Sequence, residues 1–347
     1  MGRPEFNIAP RPQRPKTQRS SMKVGLDHIP LLGYFKWDVL EFMEHAAEYG
    51  YEGVQIPSGK VVADTEYRRR VADKAVELGL YLEMGGAGID AARSDRSPAE
   101  LAAAWAPLFG VAADLGARVL ITGLGTWPWQ GRMSDEPGLR PADQIDGGIA
   151  TLRELAPIAR DHDMLVSVHT GFFAAAEYAR MMETVDSPHV GLCLDTGNAF
   201  LVLEDPTDFA RDVAPWVNST HLKDSAVYLT DAGMDWFGGS VLGDGTVDLP
   251  AIVGTLHEAN PEIALTVEDH WGCSSVPVYD AAFLDSLPPP AGDTRAKLLR
   301  HLQVARAHLD SGRLPSRAIV DTWDLDTVLP ERARANAEYA KRLRDSL

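Results

Sequence analysis

Val190-Gly191-Leu192-Cys193-Leu194-Asp195 is a short apolar run that ends on a carboxylate, and Thr196-Gly197-Asn198 follows it at once. Runs of the same kind recur at residues 23–26, 53–56, 81–84, 118–122, 164–169, 217–222 and 263–268. Between them lie stretches with apolar residues near helical spacing, among them 37–49, 67–78, 98–115 and 146–161. Tyr49-Gly50, Leu78-Gly79 and Leu115-Gly116 place a glycine where a helix should stop, because glycine takes the left-handed conformation that ends one. Eight strands separated by helices call for a parallel sheet, since parallel neighbours need crossover connections. Eight such units over about 250 residues fit a closed barrel in count and size. An open doubly wound sheet is the alternative, and it should carry a glycine-rich turn after an early strand. Gly85-Gly86 and Gly123-Leu124-Gly125 lack that spacing. The expected fold is therefore α/β, a (β/α)8 TIM barrel over residues 22–272. Residues 1–21, with Pro4, Pro10, Pro12 and Pro15 among basic residues, read as a disordered leader. Residues 273–347 read as a Pro-rich linker and a helical extension, helical near 295–310 and 330–344, packed on the barrel or on a partner.

Composition narrows the function classes. The chain has 347 residues, 45% hydrophobic and 24% charged, an ordinary globular profile. It has no apolar run of membrane-spanning length, and residues 1–21 lack the apolar core of a secretory signal. Two cysteines, Cys193 and Cys273, leave no basis for a disulfide framework or a thiolate zinc site and point to a reducing cytoplasm. A net charge of −17 repels phosphate backbones, so nucleic acid is not an expected partner. A small polar substrate is.

Strands five to eight each end in a residue able to bind metal: His169, Asp195, His221 and Glu268. Side chains alternate faces along a strand. Two residues before each candidate stand Ser167, Cys193, Ser219 and Thr266, all small, whereas the intervening Val168, Leu194, Thr220 and Val267 suit packing against outer helices. The four candidates thus share the interior face and the C-terminal strand end, where barrels of this kind build their sites. Taken singly, each reads as well as a satisfied polar residue or a helix cap; their common parity on successive strands favours one centre. Two imidazoles and two carboxylates make a mixed N/O set for one divalent ion, manganese first, with magnesium, cobalt and zinc also admitted.

These residues resemble the xylose-isomerase-like barrels, the sugar isomerase/epimerase superfamily, over about Met22 to Gly272. The resemblance is carried by Leu194-Asp195-Thr196-Gly197-Asn198, His221-Leu222-Lys223-Asp224, Leu242-Gly243-Asp244-Gly245-Thr246-Val247-Asp248 and Val267-Glu268. It implies metal binding by Asp195, His221 and Glu268, and a seventh helix after the Gly-Asp-Gly stretch. The family usually ends strand five in a glutamate that is both ligand and acid/base. Here that glutamate is absent, and His169 is read as the fourth ligand or as an acid/base beside the centre.

What the resemblance implies is a divalent-metal-dependent sugar isomerase or epimerase, with proton abstraction beside a carbonyl, a metal-stabilised enediolate and Glu268 as a base; with the strand-five glutamate absent, His169 or another residue is the opposing acid/base. A lyase using the same proton removal, a dehydratase or a 3-keto-glycoside-cleaving enzyme, is the alternative, and so is a non-catalytic barrel with a decayed site. The sugar or glycoside is the expected small-molecule partner, and a homo- or hetero-oligomer is compatible with the extension. DNA repair is disfavoured, because such relatives add histidines that strands two to four lack here. Asn198, Lys223, His270, Trp127 and Trp271 are the candidate substrate contacts, with capping, ion pairing or packing as the bland reading of each. Asp269, Asp224, Glu83, His28, Trp129 and Trp236 also fall near the predicted mouth, the tryptophans on loops. His45, His257, His301 and His308 fall on helices and receive no role.

Overall fold

The computed structural model describes residues 22–29, 31–270, 272–289 and 293–347, so the expected leader and Trp271 lie outside the described residues. Eight parallel strands form the barrel: β1 (Val24–Asp27), β2 (Gly53–Ile56), β3 (Tyr81–Gly85), β4 (Val119–Thr122), β5 (Leu165–His169), β6 (Val190–Asp195), β7 (Val217–His221) and, later in the chain, β10 (Leu265–Val267). Each pairs with the next, β10 pairs with β1, and a bridge from Leu222 to Val267 closes the ring. Gly50, Gly79 and Gly116 all have positive φ at the ends of helices, as their positions in the sequence require.

Tyr81 floors the barrel at the N-terminal end of the strands. A Cβ on Gly53 would stand 2.1 Å from its ring, and one on Gly25 would stand 2.0 Å from its hydroxyl. Two glycines on neighbouring strands therefore make room for one large side chain, whose Oη lies 3.0 Å from Thr266 Oγ1. Packing from that floor upward leaves the opposite, C-terminal ends of the strands for polar residues.

Two features depart from the simple strand–helix alternation. Just after β7 the chain forms an antiparallel hairpin, β8 (Asp224–Thr230) with β9 (Gly233–Ser240), and β11 (Cys273–Val276) joins it as a third strand. Trp236, placed on a loop by the sequence reading, is on β9, is 1% exposed, and donates from Nε1 to Gly197 O at 2.9 Å. The segment from Cys273 is a strand here because the β9 edge supplies its partner 36 residues earlier (Cys273 against Phe237), a pairing no local pattern encodes.

The helix Thr294–Asp310 packs on β8, with a small apolar cluster of Ala226, Phe237, Ala305 and Leu314 between them. The last helix, Leu325–Asp345, packs against β1 and β10 and so fills the outer ring at the barrel's closure. Tyr51 Oη donates to Ala333 O at 2.8 Å, and Arg344 Nη1 lies 2.9 Å from Glu52 Oε2. The extension expected over 273–347 thus contributes a strand to the hairpin sheet and a helix to the ring.

Candidate metal centre

His169, Asp195 and His221 are the last residues of β5, β6 and β7, and Glu268 stands one residue beyond β10. Register pairs Asp195 with His221 across β6 and β7, so period-two alternation delivers both to one face at one height. Beneath them Ser167, Cys193, Ser219 and Thr266 are fully buried. One ligand atom from each of the four residues falls within 4.8 Å of the others, a cluster that could hold a metal ion. His221 Nδ1 lies 2.8 Å from Glu268 Oε2, and His169 Nε2 lies 3.4 Å from Asp195 Oδ2 and 3.8 Å from Glu268 Oε2.

Closeness here is not hydrogen bonding. Asp195 Oδ2, His221 Nδ1 and Glu268 Oε2 are buried and make no hydrogen bond of acceptable geometry. Buried polar atoms ordinarily find a partner. Two carboxylates and two imidazoles with ligand atoms this close together are the donor set a divalent cation takes. The residues fit the ion.

Lys223 changes the electrostatics of the cluster. It is 2% exposed, and its Nζ lies 2.8 Å from Asp195 Oδ2 and 3.3 Å from Glu268 Oε1. Burial works against its charge, yet the two carboxylates outweigh that and hold its pKa above the usual lysine value. Glu268 is displaced downward: burial raises it, and Lys223 and His221 more than compensate. Burial likewise depresses both histidines, and neighbours reverse the sign. Asp195 and Glu268 raise His169; Cys193 and Glu268 raise His221.

The supporting contacts are specific. Asp195 Oδ1 accepts from Gly197 N at 2.9 Å, and Asp195 N donates to Thr170 Oγ1 at 2.9 Å. Asn198 is 7% exposed and bonds Thr170 O through Nδ2 at 3.3 Å, tying the loops after β5 and β6 together. Asp224 accepts from the backbone N–H groups of Gly243, Gly245 and Val247, and burial pushes its pKa up to about 7. A Cβ on Gly245 would lie 2.1 Å from Asp224 Oδ1, which is why the Gly-Asp-Gly loop needs that glycine. The seventh barrel helix, Leu249–Ala259, follows, capped by Asp248.

Asp269, next to Glu268, is gripped by Arg332 through two nitrogens and by Asn336 Nδ2 at 3.0 Å, all from the last helix. His270 Nδ1 accepts from Gly272 N at 3.0 Å. Trp127, half-buried after β4, stacks on Trp129 at 5.2 Å and meets the edge of Phe172 at 5.6 Å, making an aromatic wall from the loops after β4 and β5. His28 Nδ1 lies 2.9 Å from the buried Asp27 Oδ1.

Two further buried residues stand here: Gln55, which the sequence reading passed over, and Glu83, which it placed near the mouth with a surface or capping role as the alternative. Gln55 Oε1 lies 2.7 Å from His221 Nε2. Glu83 is 3% exposed, accepts from Ser219 Oγ at 3.0 Å and Thr266 Oγ1 at 3.2 Å, and is pushed by burial up to about 7. Each is a polar residue on the interior parity of an otherwise apolar strand. That parity was the available signal.

Comparison with known proteins adds the following. Residues 43–302 match the family described as the xylose isomerase-like TIM barrel. The chain is 26% identical over 204 residues to a 3-oxo-isoapionate decarboxylase of Pectobacterium atrosepticum, covering 58% of this chain and 66%, just under two thirds, of that relative. A D-psicose 3-epimerase of Clostridium cellulolyticum has the same fold, with a TM-score of 0.62 at 14% identity over 93% of this chain and 99% of that one. A 3-keto-D-glucoside 4-epimerase of E. coli superposes with a TM-score of 0.56 at 16% identity, over 80% of this chain and 99% of that one. Among the described residues no helix is long and apolar enough to cross a membrane.

Proposed function

The chain belongs to the xylose isomerase-like TIM-barrel family, and on that premise we propose that it is a divalent-metal-dependent isomerase or epimerase of a small sugar. The observation that carries this reading is the convergence of His169, Asp195, His221 and Glu268, whose ligand atoms all lie within 4.8 Å of one another, with His221 Nδ1 and Glu268 Oε2 buried and making no hydrogen bond. A divalent ion, manganese first, would supply Lewis acidity there, polarising a substrate carbonyl so that the adjacent carbon gives up a proton. Glu268 is the proposed base: Lys223 and His221 keep it ionised, the state needed to accept that proton. His169 is the least buried of the four and is assigned as the fourth ligand, with the opposing acid/base beside the centre as its alternative role. Lys223 is assigned to holding Asp195 and Glu268 rather than to the substrate, because its ammonium is already enclosed by both. Trp127 and its aromatic neighbours offer faces for a sugar ring, and Asn198, His270 and Trp271 complete the proposed substrate contacts.

A lyase acting on a 3-oxo sugar derivative or glycoside is the second reading. It is favoured by the imidazole that ends β5 in place of a carboxylate, which alters the acid/base set, and by the decarboxylase among the relatives. Incubation of the manganese-loaded protein in deuterated water with aldoses, ketoses and 3-oxo sugars separates the two. Deuterium uptake at carbon with a new epimer or isomer supports the first reading, and release of carbon dioxide, water or an aglycone supports the second. No exchange and no product from any of them would sink both.

A further inference from the structure

The two ring nitrogens of His221 have different surroundings, and the difference gives a role to a residue across the barrel. Nε2 lies 2.7 Å from Gln55 Oε1, and both residues are 5% exposed. Nδ1 lies 2.8 Å from Glu268 Oε2, but a proton on Nδ1 would not align with that oxygen, and both atoms lack a hydrogen bond. An amide oxygen can only accept, so Nε2 carries a proton and donates it to Gln55, and Nδ1, beside Glu268, is the nitrogen left to give its lone pair to an ion. An imidazole that binds metal through one nitrogen needs an acceptor for the N–H on the other.

Gln55 occupies the middle of an interior row, in register with Asp27 on β1 and Glu83 on β3. Asp27 is 0% and Glu83 3% exposed, so this side of the barrel already buries two carboxyl groups. A carboxamide accepts the His221 proton without adding a third. An apolar side chain of the same length would leave Nε2–H buried and unsatisfied, and the ring free to turn or to take the other tautomer.

We propose that Gln55 is a positioning residue for metal binding, its carboxamide oxygen holding His221 in the Nε2–H tautomer so that Nδ1 is the atom presented to the ion. The proposal rests on the metal-centre reading given above. Its first test uses the unaltered protein labelled with 15N-histidine and loaded with zinc, followed by long-range 1H–15N correlation. A histidine with a metal-bound Nδ1 and a protonated Nε2, lost or altered in Gln55→Met, is expected; metal on Nε2 of His221 overturns the proposal. Cobalt titration by calorimetry and visible absorption is the second test. Gln55→Met should bind cobalt about 10–100-fold more weakly, with a changed spectrum. Wild-type affinity and spectrum in Gln55→Met would overturn this inference alone. Failure of the wild-type protein to bind cobalt or zinc would overturn the metal centre and this inference with it.

Discussion

Replacing Lys223 by methionine should destabilise the metal-free protein sharply and the metal-loaded protein much less. At the 2.8 Å separating Nζ from Asp195 Oδ2 and an effective dielectric of about 20, the gross attraction is about 6 kcal/mol. Removing the ammonium from water offsets most of that, so the intact pair is not a large net gain. Deleting one partner is a different operation. It leaves two carboxylates buried without their cation, and such a deletion costs about 3–5 kcal/mol. For a chain of this size each kcal/mol moves the melting temperature by about 1.4 °C, so Tm should fall by about 4–7 °C. A divalent cation returns positive charge to the same oxygens. Saturating manganese should therefore raise the Tm of Lys223→Met by more than it raises that of the wild type. Thermal unfolding followed by circular dichroism near neutral pH, in chelator and then in manganese, measures both. A metal-free Tm indistinguishable from wild type, or equal metal-induced rises, would refute the charge-compensation argument.

Glu83 gives a pH prediction. Its carboxyl binds its proton more tightly in the folded chain, about 7 against 4.5, so its burial is harmless at low pH and becomes costly as pH rises through that window. The displacement corresponds to an upper bound of about 3 kcal/mol. In chelator, Glu83→Gln should be more stable than wild type to urea at pH 8, with the gain vanishing toward pH 4.5; a gain independent of pH would count against the buried-acid account. Gly53→Ala puts a Cβ 2.1 Å from the Tyr81 ring and should cost about 1–3 kcal/mol by urea unfolding, less in a Tyr81→Leu background. An equal cost in both backgrounds would mean that Tyr81 is not the obstacle. Arg332→Met leaves the Asp269 carboxylate without its cation, with Asn336 as its remaining partner, and should cost about 3 kcal/mol. Because Asp269 adjoins Glu268, calorimetry should also show weaker manganese binding, and unchanged affinity would separate the last helix from the centre.

The candidate ligands were legible because they depend on local periodicity. Ser167 to His169, Cys193 to Asp195, Ser219 to His221 and Thr266 to Glu268 each span one pleat repeat, and a pleat repeat is written in consecutive residues. The barrel was legible for the same reason, as eight alternations of two periods. Cys273 to Val276 gave no such signal: it is short and polar, and becomes a strand only against the β9 edge. Trp236 read as a loop residue until the hairpin formed around it.

By itself, then, the sequence determined which residues stand at the ends of the strands and which face they occupy. Tertiary structure alone decided what those residues meet. Lys223 follows His221 by two positions, yet its ammonium is set by Asp195 and Glu268 on two other strands. Gln55 and His221 are 166 residues apart and touch through the barrel interior. Arg332 reaches the residue beside Glu268 from the far end of the chain. Periodicity is a property of neighbours along the backbone, whereas the charge, tautomer and solvation of a buried group depend on neighbours in space, and only closure of the barrel brings those together.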